Sequence, residues 1–319
     1  NITLDFISST PIPTFEKKYK FKAHSNVWTY KKIFWENFFM GQKIKPHIYH
    51  NPLFFLPRFG LNKKIKTIVT IHDLSHLEQE QSFNFKTKIY FKLLLKNSLR
   101  RADAIIAISQ STSDSLKHFF PEYKDKIKVI HNGFNDFRKY SDSINKDPRK
   151  RPFFLQVGCT HARKNIELSI NSYLKIQKTY NVDLILVSTT EEQKDLYKDI
   201  QGLVFLDNLS EIELYQLYKN AIATLYPSQY EGFGFPILEA MSSGCPVICS
   251  NIPSSKEVSG LDDSLMFDLK NPDEIFFHME KIINDRVYRN ALIEHGNIRV
   301  DSFSWKKMAK DVCNLYESL

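Results

Sequence analysis

Residues 226–241, YPSQYEGFGFPILEAM, carry the pattern that decides the fold. An apolar strand is predicted to end at Tyr226, and a turn with two glycines follows. Pro236 stands where a helix can begin, because the first turn of a helix does not use the N–H that proline lacks. Gly244 is predicted to end that helix. The strand, turn and helix bring free backbone N–H groups and the positive end of a helix dipole to one point, which suits an anion such as phosphate.

Two glycines and two carboxylates of this segment are candidate ligand-binding residues. Gly232 and Gly234 let the backbone come close to a ligand. Glu239 is predicted to lie in the first turn of the helix, within reach of ligand hydroxyls. Glu231 lies in the turn, and since a diphosphate would repel it, we expect it to face a sugar or a cationic transition state. An ordinary strand, turn and helix with a glutamate that stabilises the dipole explains the same residues, so both interpretations stay open here.

Predicted strands and helices alternate along the rest of the chain, which is typical of parallel sheets covered by helices. In the first part, the predicted strands are 66–71, 104–108 and 126–130, and the predicted helices are 83–99 and 110–119. In the second part, the predicted strands are 153–157, 182–188, 202–206, 222–226 and 246–250, and the predicted helices are 166–180 and 210–219. A polar stretch, 139–151, reads as the linker between two α/β domains.

Composition supports an ordinary globular protein. The chain has 319 residues, of which 42% are hydrophobic and 25% charged, and this length suits two domains. No apolar run approaches the ~20 residues of a membrane-spanning helix, and no signal peptide is visible. The cysteines are expected to be free, buried thiols, with Cys245 and Cys249 lacking the second pair that a zinc site needs. Free thiols fit a reducing compartment, so we expect a cytoplasmic protein.

The charge is unevenly distributed. Residues 1–150 hold 27 Lys and Arg against 13 Asp and Glu, a net charge of +14, whereas residues 151–319 have a net charge of −6. A basic half suggests an anionic partner such as a membrane surface, nucleic acid or a phosphorylated substrate, and a solvated lysine-rich face explains it equally well. The basic and aromatic residues lack the order of a nucleic-acid-binding motif, so we expect no nucleic acid partner.

Arg163 and Lys164 are the next candidates, in a loop predicted over residues 158–165. Two adjacent cations at a helix N-terminus oppose the helix dipole, and an anionic ligand would resolve that misfit. A leaving diphosphate needs such positive charge, with arginine clamping two oxygens and lysine acting as a point charge. A solvated surface pair is the alternative. Because these cations can replace the charge of an ion and no Asp-x-Asp pair is placed to hold one, we expect no metal and no other cofactor.

His72 follows the strand 66–71 and is the last candidate. A lone histidine is more often structural than catalytic. However, ligands of open parallel sheets bind beside the carboxyl ends of the strands, which is where His72 lies. Asp73 is too close to His72 in sequence to act as a separate catalyst.

The two glutamates carry a resemblance to a known family. Glu231 and Glu239 are separated by seven residues, and the frame EGFGFPILEAM resembles the E-x7-E motif of retaining glycosyltransferases of family 4. Residues 244–248 and Glu257 also fit, and the resemblance runs from about residue 66 to the C-terminus. It implies the GT-B fold, in which two Rossmann-like domains face a cleft. The domains expected here are 1–145, 146–301 and a C-terminal helix, 302–319, that crosses back to the first domain.

The resemblance also implies roles for the candidate residues. It implies that Glu231 and His72 contact the donor sugar as the catalytic pair. The residues implied to bind the donor are Arg163 and Lys164 at the diphosphate, Glu239 at the ribose, and Gly232, Phe233 and Gly234 in the turn. The implied reaction moves a hexose, with mannose favoured, from a nucleoside diphosphate sugar to a glycan or lipid-linked acceptor in cell-surface polysaccharide synthesis. The basic domain would then contact an anionic membrane peripherally, at its inner face.

One feature departs from the family pattern. Family members open with a strand and a glycine-rich loop, whereas this chain begins at Asn1 and no such loop follows the strand predicted over residues 2–7. We expect either that an N-terminal piece is missing or that this branch lacks the loop. The alternative function is therefore a non-catalytic GT-B scaffold or subunit. A dinucleotide-dependent oxidoreductase is disfavoured, because no G-x-G-x-x-G follows a first strand.

Overall fold

The computed structural model describes the backbone of residues 6–8 and 21–23, and residues 47–57, 61–78, 85–140 and 151–319 with their side chains. The strands are β1 Phe6–Ser8, β2 Phe21–Ala23, β3 Ile48–Asn51, β4 Lys66–Ile71, β5 Ala104–Ala107, β6 Ile127–Val129, β7 Phe153–Val157, β8 Asp183–Val187, β9 Leu203–Leu206, β10 Thr224–Tyr226 and β11 Val247–Cys249. The helices are α1 Ser75–Glu78, α2 Phe85–Arg101, α3 Gln110–Phe119, α4 Ile166–Ile176, α5 Glu191–Tyr197, α6 Glu211–Asn220, α7 Phe235–Ser242, α8 Pro253–Ser259, α9 Asp273–Asn284, α10 Arg286–Arg299 and α11 Trp305–Glu317.

Two parallel sheets organise the molecule. The first domain has a sheet with the strand order β3-β4-β5-β6, and the second domain has one with the order β11-β10-β7-β8-β9. Every strand pairing among the described residues is parallel, including that of β1 with β2. The predicted α/β architecture of two parallel-sheet domains is confirmed. The predicted domain boundary at 145/146 lies outside the described residues and stays a prediction.

Helix caps explain why several predicted elements begin where they do. Ser109 caps α3 by accepting the N–H of Thr112, and Ser210 forms a capping box with Glu213 at the start of α6. The strands β4 and β7 have the predicted bounds. The helix predicted over 166–180 was too long, since α4 ends at Ile176. The loop predicted over 158–165 contains a short 3-10 turn, Ala162–Lys164.

Each sheet has an apolar core, as the buried β-strands require. In the second domain, β7 and β8 are almost wholly buried, and the core extends from them through α4 and α7. The cysteines Cys159, Cys245 and Cys249 are free and buried, as predicted, and burial raises the pKa of each of these thiols to about 12. Within the described ranges, none of the helices combines the length and apolar character needed to cross a bilayer.

The helix α11 packs on the sheet of the first domain. Leu315 is buried in a cluster with Ile68 and Ile106, and the partly buried Met308 and Val312 pack beside it. The ring of His50 in β3 links this sheet to α11, because its Nδ1 lies 2.6 Å from the Tyr316 hydroxyl. Burial lowers the pKa of His50 to about 4, so this ring is neutral at neutral pH. The chain therefore completes its first domain with a helix that follows the second.

Candidate active site

The neighbouring strands β7 and β10 bring the two main sequence motifs together. The strands pair in parallel, so the loops after their carboxyl ends meet at one edge of the sheet. Arg163 and Lys164 follow β7, and Glu231 follows β10. The Gln229 N–H donates to the Arg163 carbonyl at 2.9 Å, and the Gln156 side chain donates to the Lys164 carbonyl at 2.7 Å. The first bond holds the cationic turn against the segment that carries Glu231, and the second holds it against β7.

Glu231 forms ion pairs with both cations. Its Oε2 lies 2.5 Å from Arg163 Nη1, and its Oε1 lies 2.7 Å from Lys164 Nζ. Only 8% of Glu231 is exposed, so solvent screens these pairs weakly. Burial lowers the pKa of Arg163, but the neighbouring Glu231 carboxylate outweighs burial and raises it overall. Two cations and one carboxylate leave one net positive charge at the carboxyl edge of the sheet.

The sequence predicts that Glu231 faces a sugar or a cationic transition state, and that role stays a prediction. The structure places Glu231 against Arg163 and Lys164, because β7 and β10 are adjacent in the sheet although Arg163 and Tyr230 are 67 positions apart in the chain. The aromatic ring of Tyr226 lies under the same cluster, 5.1 Å from Lys164 Nζ.

Glu239 lies one residue further into its helix than predicted. The helix α7 begins at Phe235, with Gly234 as its N-cap at φ +143°, a conformation that favours glycine. Glu239 therefore lies just beyond the first turn of α7, whereas the sequence predicts it within that turn. Its Oε2 accepts a hydrogen bond from the Tyr218 hydroxyl at 3.2 Å. Burial raises the pKa of Glu239, and the Tyr218 hydrogen bond opposes that rise in part.

Gly232 faces the first domain. A Cβ atom at this position would lie 2.0 Å from the His72 carbonyl oxygen and 2.9 Å from Asp73 Cβ. Contact between the domains therefore already requires glycine here. The neighbouring Phe233 is buried, with its ring 5.3 Å from that of Phe235 and 5.7 Å from that of Phe303. Its side chain belongs to this aromatic packing, which leaves its backbone as the part that can contact a donor.

His72 lies at the end of β4 beside the same turn. Its Nε2 is 2.8 Å from the Pro52 carbonyl, and since a carbonyl can only accept, Nε2 carries the proton and Nδ1 is the acceptor in the neutral ring. The ring also meets Phe54 edge-on, with the centroids 6.1 Å apart. Asp73 accepts the Ser75 N–H at 2.9 Å, just before α1. The carbonyl of His72, rather than its ring, is the group that abuts Gly232.

Glu257 is a cross-domain residue whose role the sequence did not reveal. From α8 in the second domain, it accepts the N–H groups of Gln110 at 2.6 Å and Ser111 at 3.0 Å, at the start of α3 in the first domain. It also lies 2.7 Å from His131 Nε2. Burial raises the pKa of Glu257, but these hydrogen bonds outweigh burial and the pKa lies below its usual value. A carboxylate at a helix N-terminus is stabilising, yet only the structure shows that the helix belongs to the other domain.

Two family models together cover most of the chain. Residues 11–138 match Glycosyltransferase Family 4, and residues 137–299 match Glycosyl transferases group 1. The chain is a group 1 glycosyltransferase. The candidate residues of the second domain lie within the second matched range, and His72 lies within the first.

Named relatives of this glycosyltransferase include two enzymes of O-antigen synthesis. It is 29% identical over 297 residues to O-antigen chain mannosyltransferase B of Escherichia coli, a match that covers 86% of this chain and 75% of the relative. It is 35% identical over 248 residues to O-antigen chain mannosyltransferase RfbU of Salmonella typhimurium, with 75% of this chain and 67% of the relative covered. Both relatives are named as mannosyltransferases.

Solved structures support the fold of this group 1 glycosyltransferase. A glycosyltransferase from Rickettsia africae superposes with a TM-score of 0.73 at 17% identity, over 99% of this chain and 90% of that one. At this identity the likeness concerns the fold alone. The predicted GT-B arrangement of two Rossmann-like domains is confirmed.

Proposed function

We propose that this glycosyltransferase is a retaining hexosyltransferase that uses a nucleoside diphosphate sugar. The observation that carries the proposal is the contact of Arg163 and Lys164 with Glu231 at the carboxyl ends of β7 and β10. A glycosyl donor needs positive charge at its leaving diphosphate and negative charge near the sugar ring, where cationic character develops. The two cations and the Glu231 carboxylate supply both charges, within hydrogen-bonding distance of each other.

The proposed roles follow from the chemistry of each group. Arg163 and Lys164 have more donor groups than one carboxylate can accept, so they can hold diphosphate oxygens as well. Glu231 then steadies the positive charge that builds on the sugar ring. His72, in the first domain, is proposed to stabilise the same positive charge on the sugar ring, with Nδ1 as its acceptor atom. The turn backbone at Gly232, Phe233 and Gly234 is proposed to line the donor site.

Retention is proposed to arise from departure and attack on one face of the sugar. The bond between the anomeric carbon and the phosphate oxygen breaks, and the acceptor oxygen bonds to that carbon from the same side. The acceptor's proton passes to the leaving phosphate oxygen. Glu231 lies beside the diphosphate-binding cations rather than across from them, and this position favours an electrostatic role for it over that of a nucleophile on the far face.

The names of the relatives guide the choice of sugar and acceptor. Two relatives are named as O-antigen chain mannosyltransferases. We therefore propose mannose as the transferred hexose, GDP-mannose as its donor, and a glycan or lipid-linked glycan of a cell-surface polysaccharide as the acceptor. The proposed place of action is the inner face of the cytoplasmic membrane, where a nucleotide sugar and a lipid-linked acceptor can meet.

A panel of nucleotide sugars tests the donor and the reaction. The melting temperature of the protein is measured with the GDP, UDP, dTDP and ADP sugars, because binding to the native state stabilises it by mass action. The best donor is then used for transfer to lipid-linked glycan, and the anomeric proton signal of the product is read by NMR. A product with inverted configuration would refute retention. Binding without transfer or donor hydrolysis would favour the alternative of a non-catalytic scaffold.

Replacing Glu239 by alanine is expected to weaken binding of the matching nucleoside diphosphate by about 1.5–3 kcal/mol, because ribose hydroxyls lose a charged acceptor. Calorimetry measures the change. Glu239→Gln is the matched variant: it keeps the acceptor for the Tyr218 hydroxyl but removes the charge, so it separates a loss of ribose contact from a local loss of packing. An unchanged dissociation constant in both variants would remove Glu239 from the ribose site.

Membrane contact is the second part of the proposal, and α2 is the element that favours it. This helix, FKTKIYFKLLLKNSLRR, has six Lys and Arg residues and no acidic residue. Large apolar side chains are exposed on it: Phe85 by 76%, Ile89 by 44% and Leu93 by 63%. These three recur every four residues, which puts them on one face of a helix. An apolar stripe among cations suits the interface of an anionic bilayer.

Replacing Phe85 and Leu93 together by serine is expected to lower partitioning onto anionic vesicles by at least about 10-fold, since each buried side chain of this size contributes about 1.5–3 kcal/mol. Sedimentation with vesicles at low and high salt measures the partitioning. The matched control replaces Phe277 and Val287, which are exposed by 60% and 80% in the second domain, by serine. Equal losses in both double variants, or no vesicle binding at low salt, would refute a role of α2.

A further inference from the structure

Glu231 lies between two residues that the first domain holds. On one side, the Tyr230 hydroxyl accepts the backbone N–H of Leu74 at 2.9 Å. On the other side, the Gly232 carbonyl accepts the hydroxyl of Ser109 at 2.6 Å. Leu74 follows β4 and Ser109 follows β5, so both donors come from the carboxyl edge of the first sheet.

We infer that Ser109 and Tyr230 are positioning residues, through which contact between the domains orients the Glu231 carboxylate for the reaction. The inference rests on the proposed function of Glu231. It adds that the ion pairs of Glu231 with Arg163 and Lys164 of the second domain are not sufficient to orient this carboxylate for the reaction. The working geometry of Glu231 would then exist only while the first domain touches the turn.

The local backbone explains why external support matters here. Residues 227–234 lie between β10 and α7, outside any helix or strand, so no regular ladder of hydrogen bonds fixes them. A hydrogen bond to the Gly232 carbonyl restrains the peptide between Gly232 and Phe233, one residue beyond Glu231. The hydrogen bond to Tyr230 restrains the residue that precedes it.

Burial makes the Ser109 contact a well-defined one. Ser109 is wholly buried and 1% of Thr112 is exposed. Ser109 Oγ accepts the Thr112 N–H at 2.9 Å as the N-cap of α3, while its own proton lies toward Gly232. Thr112 Oγ1 is also 3.2 Å from the Gly232 carbonyl. The start of α3 thus presents hydroxyl groups to one carbonyl of the other domain.

Tyr230 is held from both domains at once. Its carbonyl accepts from Arg163 Nη1 at 3.0 Å, and the same guanidinium forms the ion pair with Glu231 at 2.5 Å. Its hydroxyl, at the far end of the side chain, meets Leu74. The residue therefore connects the strand end of the first domain to the cation that faces the carboxylate.

Kinetics of two variants test the inference. Tyr230→Phe removes only the hydroxyl. Ser109→Gly removes the hydroxyl but keeps most of the helix cap, since glycine is nearly as good as serine at an N-cap. The substrate is the nucleotide sugar that gives the largest thermal shift, and turnover is measured as nucleoside diphosphate release. We expect kcat to fall about 3- to 10-fold in each variant and at least about 30-fold in the double variant, with the dissociation constant of the nucleoside diphosphate changed less than about 2-fold.

Glu257→Gln is the matched control. Glu257 also joins the second domain to the start of α3, but its side chain bonds to Gln110, Ser111 and His131 rather than to residues 230–232. This variant is expected to lower the melting temperature while kcat stays within about 2-fold of the parent. If Tyr230→Phe and Ser109→Gly change only the melting temperature, as this control does, the inference is overturned and the two residues merely join the domains.

Glu231→Gln, measured in parallel, separates failure of the inference from failure of the proposed function. A large loss of turnover in Glu231→Gln with normal turnover in both positioning variants overturns the inference and leaves the proposed function standing. Normal turnover in Glu231→Gln overturns the proposed role of Glu231, and the inference falls with it.

Discussion

Replacing Glu231 by glutamine is expected to lower turnover by at least about 100-fold, the scale on which loss of one preorganised electrostatic group acts. The amide keeps the size of the side chain but cannot offset positive charge on the sugar ring. Affinity for the nucleoside diphosphate should not fall, because Arg163 and Lys164 lose a competing carboxylate that now lies 2.5 and 2.7 Å from them. Turnover is measured with saturating donor, and affinity is measured by calorimetry.

Glu239→Gln is expected to have the opposite effects on affinity and turnover, so comparing the two glutamine variants tests the separate roles of the two carboxylates. Glu239 should affect the dissociation constant more than kcat, whereas Glu231 should affect kcat more than the dissociation constant. If both substitutions weakened nucleotide binding alike, the division of the two carboxylates between sugar and ribose would be wrong. Near-normal turnover in Glu231→Gln would exclude this carboxylate from the reaction.

Replacing Gly232 by alanine is expected to reduce turnover by about 100-fold or more. The new methyl group would lie 2.0 Å from the His72 carbonyl oxygen, a backbone atom that cannot rotate away, so the domains must move apart. A displacement of about 1 Å near a reacting centre can cost roughly 100-fold in rate. Each domain keeps its own core, so circular dichroism should report a folded protein while turnover is lost.

Gly244 provides the control for this substitution. Its φ is +70° and no atom lies within 4 Å of a Cβ placed there. Gly244→Ala therefore carries a backbone penalty of roughly 1 kcal/mol without touching the first domain. We expect lower stability with activity close to that of the parent. Comparable loss of activity in the two alanine variants would mean that general destabilisation, not contact between the domains, explains the effect of Gly232→Ala.

Local patterns in the sequence were sufficient for most elements near the site. The strands β4 and β7 were predicted with their observed bounds because each is a short apolar run closed by polar residues. Ser109 and Ser210 marked helix starts through their capping side chains. The end of α4 was missed because residues 177–180 contain neither glycine nor proline, and only packing decides that the helix stops at Ile176.

The contacts between residues of the site could not be predicted from local sequence patterns. The ion pairs of Glu231 depend on β10 lying next to β7, and the strand order is a property of the whole sheet. Gly232 was predicted to let the backbone come close to a ligand, which stays a prediction, and the structure adds a carbonyl of the other domain against this glycine. Glu257 fitted the family pattern without suggesting that it caps α3. These are all relations between segments far apart in the chain, which local periodicity does not encode.

The packing of α11 on the first sheet affects how the protein folds during its synthesis. A ribosome synthesises residues 305–317 after both sheets, yet these residues cover Ile68 and Ile106 on the first one. Until that helix emerges, the nascent first domain exposes an apolar face, which is a surface that chaperones bind and that promotes aggregation. Folding of the two domains therefore cannot be strictly sequential. The earlier domain has to wait for the later one, and conditions that slow release of the chain should lengthen the period in which it is vulnerable.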